Sequence, residues 1–438
     1  MKAFAATPSS YSVPRPAIRV KTFPVGTSLV VLCAVFNVFL CFVSTRGWVF
    51  TSSSVVAAAE MLILIAGFLV IRKTISRRIM IFSTLSVMYM IGAKMINPEL
   101  SFKLIHDAAI AYIFYQIGVI SGMRQARQAI WIIMILTLTL AVFEIFNPAV
   151  FGQILNIWQY YVQKGGISTT AINYSQTTFF ASGDRGGVGR TFFPSLLGPH
   201  RVSSIFLEPV SLGNYATFVF GWCLATCRNR PGQRQILLFI LCFVCIVLTD
   251  SRFASACCAL MALIRISPLR SSSFTVLLMP VIATVLLTVA GSLHEIPGWL
   301  PAIKSDDFSG RLLFSGQLLN YWNLSQWMAF APSPVYTADT GYAYILSNLG
   351  LPFSLVCLVM FAFSKNNNQT AAMMKTCIAV YFATSLCIGA SIFSIKTAAL
   401  LWMLYGATQT IGSPGAGGKA AARKAGEDRT LQGGFSSR

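Results

Sequence analysis

Long apolar runs, separated by short clusters of charged or turn-forming residues, recur along most of the chain. Runs of about 17 to 25 residues are long enough to cross a hydrocarbon core of about 30 Å as α-helices. The pattern therefore predicts an all-α polytopic membrane protein with about 12 transmembrane helices. The predicted spans cover residues 26–44, 53–71, 79–96, 104–122, 129–146, a run from about 207, two arms within 235–264, 273–291, 342–363, 372–392 and 397–411.

Residues 235–264 differ from the other apolar stretches because Asp250, Ser251 and Arg252 interrupt them in the middle. Arg234 precedes the stretch and Arg265 follows it, and basic residues favour the cytoplasmic side of a membrane. Each arm then has only about 12 to 16 residues, or about 18 to 24 Å of helix. We predict a helical hairpin whose tip stops below the outer surface and lines a wet cavity, because irregular backbone at membrane depth is tolerated there.

Two long polar segments, 148–206 and 292–341, separate groups of predicted spans, and both are predicted to be periplasmic loops. Residues 1–25 form a polar, proline-containing tail, and residues 412–438 form a tail rich in glycine, alanine and charge. The latter composition does not bury enough apolar surface to fold, so this C-terminal tail is predicted to be disordered. Residues 26–411 are predicted to form one transmembrane domain.

The chain of 438 residues is 55% hydrophobic and 11% charged, and its net charge of +20 comes from 33 Lys and Arg against 13 Asp and Glu. Such a basic excess also occurs in nucleic-acid-binding proteins, but here it follows the loops between apolar runs. The predicted inner loops and tails hold 22 Lys and Arg, and the outer segments hold 11. The positive-inside tendency then places both termini in the cytoplasm and argues against a nucleic-acid partner.

All 11 cysteines lie in apolar runs or at their ends. Cys242 and Cys245 form a CxxC pair, but they lie inside an apolar run that offers no further ligand at metal-site spacing. The cysteines are therefore interpreted as small packing residues, and no disulfide framework, metal or cofactor is predicted.

Positions 199–216, PHRVSSIFLEPVSLGNYA, place His200, Arg201 and Glu208 at the start of an apolar run. Ionisable groups at the edge of a hydrocarbon layer are costly unless they are paired or hydrated, so they mark a functional site by default. A second interpretation stays open, in which Arg201 and Glu208 are interfacial anchors or a structural ion pair.

Arg201, Arg252 and Arg311 all lie outside the predicted spans or at their outer boundaries. The planar guanidinium binds phosphate through two parallel hydrogen bonds and stays charged, which suits an anionic lipid headgroup and especially a diphosphate. Glu208 and Asp339 are the acids at comparable edges, and one carboxylate there is placed to act as general base on an acceptor hydroxyl. The arginines would stabilise charge on the departing diphosphate.

The segments RVSSIFLEPVSLGNYA, LTDSRFASACCALMAL, SGRLLFSGQLL and DTGYAYILSNLGLPFSL occur in this order. Their order and spacing resemble those of Wzy-type bacterial polysaccharide polymerases, in the O-antigen polymerase and ligase superfamily, and within it the xanthan-type exopolysaccharide polymerases. The resemblance implies a metal-independent, inverting glycosyltransferase of the bacterial inner membrane. It would join repeat units carried on undecaprenyl diphosphate at the periplasmic face, together with chain-length regulators and export proteins.

By position, Arg201, Glu208, Arg252 and Arg311 match the charged outer residues of that family, and His200 is expected to help bind the substrate. Related ligases have a His before a YxxxLxxxG segment, whereas this chain has Asp339 ahead of Tyr342. Asp339 is therefore the first candidate for the general base. Glu208 is the second, because Pro209 after it suits the first turn of a helix and offers Glu208 a structural role.

Two other functions remain open at this level. An O-antigen ligase would share the fold and the lipid-linked donor. A flippase or transporter of lipid-linked sugars would also have many spans and a basic cavity, but carriers place their polar groups near the midplane and often show internal repeats. Here the charge is concentrated in the two outer segments, and no repeat is visible.

Overall fold

The computed structural model describes residues 24–165, 178–179, 190–198, 200–227, 230–293, 308–335, 337 and 340–411. Within these ranges every element of regular secondary structure is helical. The α-helices are α1 Val25–Thr45, α2 Ser53–Ile71, α3 Arg77–Ile96, α4 Lys103–Phe146, α5 Pro148–Ile154, α6 Ile157–Gln163, α7 Pro194–Leu197, α8 Pro209–Thr226, α9 Gln233–Thr249, α10 Arg252–Ile266, α11 Ser273–Ser292, α12 Phe308–Tyr321, α13 Leu324–Trp327, α14 Gly341–Phe363, α15 Gln369–Ser385 and α16 Ile395–Thr408.

Among the described residues, 6 helices are long and apolar enough to cross a membrane, namely α1, α2, α3, α4, α11 and α14. The all-helical class and the apolar membrane-spanning helices are thus confirmed in outline. The count of twelve spans, the two periplasmic loops and the location of the termini stay predictions. The C-terminal tail lies outside the described residues.

Capping residues in the sequence set several helix starts. Ser52 precedes α2 and accepts a hydrogen bond from the backbone N–H of Val55, and Ser76 does the same for Ile79 at the start of α3. Short polar side chains satisfy first-turn N–H groups that have no partner inside the helix. The predicted span at 53–71 accordingly coincides with α2.

The long helix α4 contains a break at Gly122, where φ is 68° and ψ is −177°. Glycine adopts this conformation without the steric cost that other residues meet. Thr27, at the start of α1, donates to the carbonyl of Gln125 beside the break, and the N–H of Asn156 donates to Thr45 at the end of α1. The element therefore consists of two arms, which match the predicted spans 104–122 and 129–146.

The predicted hairpin is present as helices α9 and α10 on either side of Asp250 and Ser251. Asp250 is buried, and its carboxylate accepts hydrogen bonds from the backbone N–H groups of Thr191 and Phe192. The N–H of Val202 donates to the carbonyl of Leu248 in the same tip. Residues 191, 192 and 202 thus contact the hairpin tip and bury Asp250, while Arg252 is exposed, and the wet cavity stays a prediction.

One predicted span ends earlier than expected. The apolar run 372–392 gives helix α15 only as far as Ser385, and a short 3-10 helix at Ser391–Phe393 follows. The carbonyls of Cys387 and Ile388 leave the helical ladder and accept hydrogen bonds from α12. The break supplies acceptors to a neighbouring helix, which hydropathy does not reveal.

The ends of several helices meet at what we call the polar end of the bundle. It joins the end of α1 to the end of α6, since Ser44 donates to Gln163 at 2.7 Å. It also joins the starts of α8 and α16 through Glu208 and Lys396. The starts of α4 and α14 meet there through Asp107 and Tyr344. The opposite end carries different contacts, among them Asn368 before α15 with the carbonyl of Thr408 in α16.

Candidate functional site

Glu208 lies at the polar end, directly before Pro209, the first residue of α8. Its Oε1 accepts a hydrogen bond from the Tyr161 hydroxyl at 2.6 Å, and its Oε2 accepts one from the Ser211 hydroxyl at 2.6 Å. The ammonium of Lys396 is 2.7 Å from Oε2. All three donors stabilise the ionised carboxylate of Glu208. Glu208 is therefore a weak proton acceptor.

Lys396 is the partner that sequence reasoning missed. It is the second residue of α16 and only 5% exposed, and its Nζ also donates to the carbonyl of Phe206 at 3.1 Å. A buried ammonium persists when a carboxylate and a carbonyl replace its water. The available signal was a single lysine between apolar residues just before the predicted span at 397.

Lys164 connects this pair to a second group of charges. It follows α6, and its ammonium is 5.7 Å from the centre of the Tyr161 ring. Burial lowers the pKa of Lys164, the Lys396 ammonium lowers it further, and the carboxylates of Glu208 and Glu60 act in the opposite direction. Lys164 is therefore within electrostatic reach of both groups.

The second group joins three helices. Oε2 of Glu60, in α2, is 3.6 Å from Nε2 of His106 in α4, and Nδ1 of His106 is 3.2 Å from Oδ1 of Asp107. The other oxygen of Asp107 accepts from the hydroxyl of Tyr344, in α14, at 3.0 Å. Lys103 lies beside this group, with its ammonium 5.5 Å from the Tyr344 ring centre.

We call these two groups and the residues between them the polar basin. Its members are Glu60, Lys103, His106, Asp107, Tyr161, Lys164, Glu208, Tyr344 and Lys396. Of these residues, the sequence had indicated only Glu208 as part of a site. Acids, bases and cations gathered in one partly buried region are typical of functional sites.

Arg201 lies against the hairpin tip. It is 7% exposed, and its Nε donates to the carbonyl of Thr249 at 2.8 Å. Arg252 begins α10 in the same region and is exposed. The fold thus brings the predicted Arg201 and Arg252 to one local region at the hairpin tip.

Arg311 lies in the first turn of α12, and its Nη1 is 3.4 Å from the carbonyl of Ile388. The segment that supplies this carbonyl continues to Ser391, whose hydroxyl accepts from Asn214 of α8 at 3.0 Å. It then leads into α16 and Lys396. Arg311 is thus tied through one short segment to the helices that hold Glu208.

His200 has a partner of its own. Its Nε2 is 2.7 Å from Oε1 of Glu144, a residue of α4 with no exposed surface. Glu144 also accepts from the backbone N–H groups of Ser203 and Ser204. These contacts anchor the segment before α8, and a role of His200 in substrate binding stays a prediction.

Asp339, the first candidate for the general base, lies outside the residues that the structure describes. In the described part, no group of three or more His, Cys, Asp and Glu residues has the arrangement of a metal site. None of the cysteines in this part forms a disulfide bond.

Comparison with known proteins identifies no relative: no family model, no curated protein sequence and no solved structure matches the chain.

Proposed function

We propose that this chain is a metal-independent, inverting glycosyltransferase that polymerises oligosaccharide repeat units carried on undecaprenyl diphosphate, at the periplasmic face of a bacterial inner membrane. The observation that supports this most directly is the polar basin at one end of an apolar helical bundle. It combines lysines with acids and a histidine, as transfer from a lipid diphosphate requires. The resemblance of residues 199–216 and the later segments to Wzy-type polymerases agrees with it.

The cations of the polar basin suit the lipid-linked donor. Burial and Lys396 disfavour the charge on Lys164, so an anion bound between these two ammonium groups would relieve a real electrostatic cost. Lysine binds phosphate as a point charge, whereas arginine adds directed hydrogen bonds. We assign the diphosphate to Lys164 and Lys396, with Arg201, Arg252 and Arg311 as further contacts along its path.

The reaction then needs one bond to form and one to break. A hydroxyl of the acceptor sugar attacks the anomeric carbon of the donor from the side opposite the diphosphate, which inverts the configuration. The bond between that carbon and the diphosphate oxygen breaks, and the diphosphate leaves with the electron pair. A basic group takes the hydroxyl proton, and nearby cations stabilise the departing charge.

Lipid-linked sugars in a strain that lacks this protein test the function. Single repeat units on undecaprenyl diphosphate should accumulate at the periplasmic face, and a plasmid copy should restore the polymer. Accumulation at the cytoplasmic face would instead identify a flippase. A polymer that forms normally but stays on its lipid carrier would identify a ligase. Either result would contradict the proposal.

The arginines provide a test at the level of the site. Arg252 is exposed, so Arg252→Ala should leave protein level unchanged while polymer yield falls. Arg201→Lys keeps the charge but loses the bidentate fork, so yield should fall there too, and Arg201→Ala should be worse. If Ala variants of all three arginines give normal polymer yield at normal protein level, these arginines do not bind the diphosphate.

A further inference from the structure

We infer that His106 is the base that removes the proton from the acceptor hydroxyl, and that Asp107 positions it. The inference rests on the proposed function, because it names the base that this reaction needs. It departs from the sequence-based candidates, since Glu208 is held in its carboxylate form by three donors. His106 instead has a ring nitrogen without a hydrogen bond among the described residues.

The Asp107 carboxylate fixes the orientation of the imidazole. Oδ1 of Asp107 is 3.2 Å from Nδ1 of His106, and Oδ2 accepts from the Tyr344 hydroxyl at 3.0 Å. Asp107 is 4% exposed, so its charge is not screened by water. An acid that accepts from Nδ1–H selects the tautomer with the lone pair on Nε2, as the acid of a catalytic triad does.

Nε2 is the open position. Its nearest acidic neighbour, Oε2 of Glu60, is 3.6 Å away, which is longer than a hydrogen bond. Both side chains are 22% exposed, so solvent reaches both groups. A sugar hydroxyl that enters there can donate to Nε2, and the Glu60 carboxylate then stabilises the imidazolium.

The charged and polar groups around His106 come from three helices and from the residue after α6. They are Glu60 of α2, Lys103 and Asp107 of α4, the Tyr344 hydroxyl of α14 and, through its interaction with Glu60, Lys164 after α6. Lys164 also interacts with Lys396 and Glu208. The base therefore shares one basin with the cations that we assign to the diphosphate.

Purified protein in lipid vesicles, supplied with lipid-linked repeat units extracted from the deletion strain, provides the test. His106→Gln keeps a polar side chain but does not accept a proton, so kcat should fall by about a hundredfold or more. The wild-type rate should fall as the pH is lowered, because a general base acts only in its unprotonated form. This decline at low pH, the acid limb of the pH–rate profile, should vanish in the variant. Added imidazole should restore part of the rate to His106→Ala.

Asp107→Asn tests the positioning role. It should lower kcat with little change in KM and should shift the acid limb, whereas a purely structural role would lower protein level and melting temperature and leave the pH profile intact. Tyr344→Phe removes the hydrogen bond to Asp107 and should give a smaller effect of the same kind. If His106→Gln does not fold, the pH profiles of these two variants still test whether His106 acts as the base.

Three results would overturn the inference. If His106→Gln has the wild-type rate and the wild-type decline at low pH, His106 is not the base, and the proposed function still stands. Loss of the acid limb in Asp339→Asn, with His106→Gln unaffected, would assign the proton to Asp339. Absence of any polymer with the wild-type protein would remove the proposed function and the inference together.

Discussion

At the scale of single residues, the carboxylates of this chain differ in what surrounds them. Glu208 is surrounded by hydroxyl and ammonium donors, and Glu144 by backbone N–H groups. Such donors stabilise a charge, and they make Glu208 a poor proton acceptor. Glu60 instead faces the His106 imidazole at 3.6 Å, beyond hydrogen-bond distance, and both side chains are partly exposed. Position near a membrane edge alone did not distinguish these roles.

The pair of Glu208 and Lys396 predicts a stability effect. Lys396→Met leaves a largely buried carboxylate without its cation, so unfolding free energy should fall by about 3 kcal/mol. The double change Glu208→Gln with Lys396→Met removes both charges and should recover part of that loss. Thermal unfolding of the detergent-solubilised protein measures both. Lys103→Met, at an exposed position, serves as the stability control and should stay within about 0.5 kcal/mol.

Lys164 predicts a response to anions. Because burial lowers the pKa of Lys164 in the folded state, holding it charged at neutral pH costs stability, and that cost declines only as the pH rises from the lowered value to the ordinary value of lysine. Lys164→Met should therefore raise the melting temperature at neutral pH. Inorganic pyrophosphate should raise the melting temperature of the wild type and have less effect on the variant. An equal pyrophosphate effect on both proteins would exclude Lys164 from the anion site.

At the scale of elements, apolar runs predicted most of the long helices, including α2 and the two arms of α4. The end of α15 was placed too late, because the run continues to residue 392 while the backbone turns after Ser385. The pairing of Glu208 with Lys396, and of Asp107 with Tyr344, was out of reach because each joins helices far apart in sequence. Hydropathy determines where helices lie and not which polar residues meet.

Close packing of α4 and α16 depends on glycines. A Cβ at Gly118 would lie 2.1 Å from the carbonyl oxygen of Met403, and one at Gly406 would lie 2.0 Å from that of Tyr115. Backbone atoms cannot move aside cheaply, and small residues at helix crossings in membranes permit such approach. Gly118→Ala and Gly406→Ala should therefore lower the melting temperature and the yield of folded protein.

Gly92, in α3, is the matched control, because a Cβ there meets no atom within 4 Å. Gly92→Ala should be neutral or stabilise the helix by up to about 1 kcal/mol, since alanine is the better helix former. Equal destabilisation by Gly92→Ala and Gly118→Ala would show that the packing of α4 against α16 is not the cause.

At the scale of the whole molecule, the polar end of the bundle carries charges of both signs, whereas the contacts described at the opposite end come from basic residues. The polar end holds the acids and histidine of the polar basin together with Lys164. The opposite end holds basic residues of α10 and α15: Arg265 donates to the carbonyl of Cys227, and Lys375 donates to the carbonyls of Ala362 and Ser364. This asymmetry agrees with a polar end outside the cell and a basic end in the cytoplasm.

Reporter fusions test that orientation. Fusions after Arg127, Arg234, Arg270 and Lys375 should report the cytoplasm, and fusions near Lys164 and Lys304 should report the periplasm. The helices α9 and α10 have 17 and 15 residues, or about 25 and 22 Å of helix. They can go up and return between Arg234 and Arg270 without two full crossings. A periplasmic signal at Arg270 would mean that the pair does not return, and it would separate Arg252 from the diphosphate path.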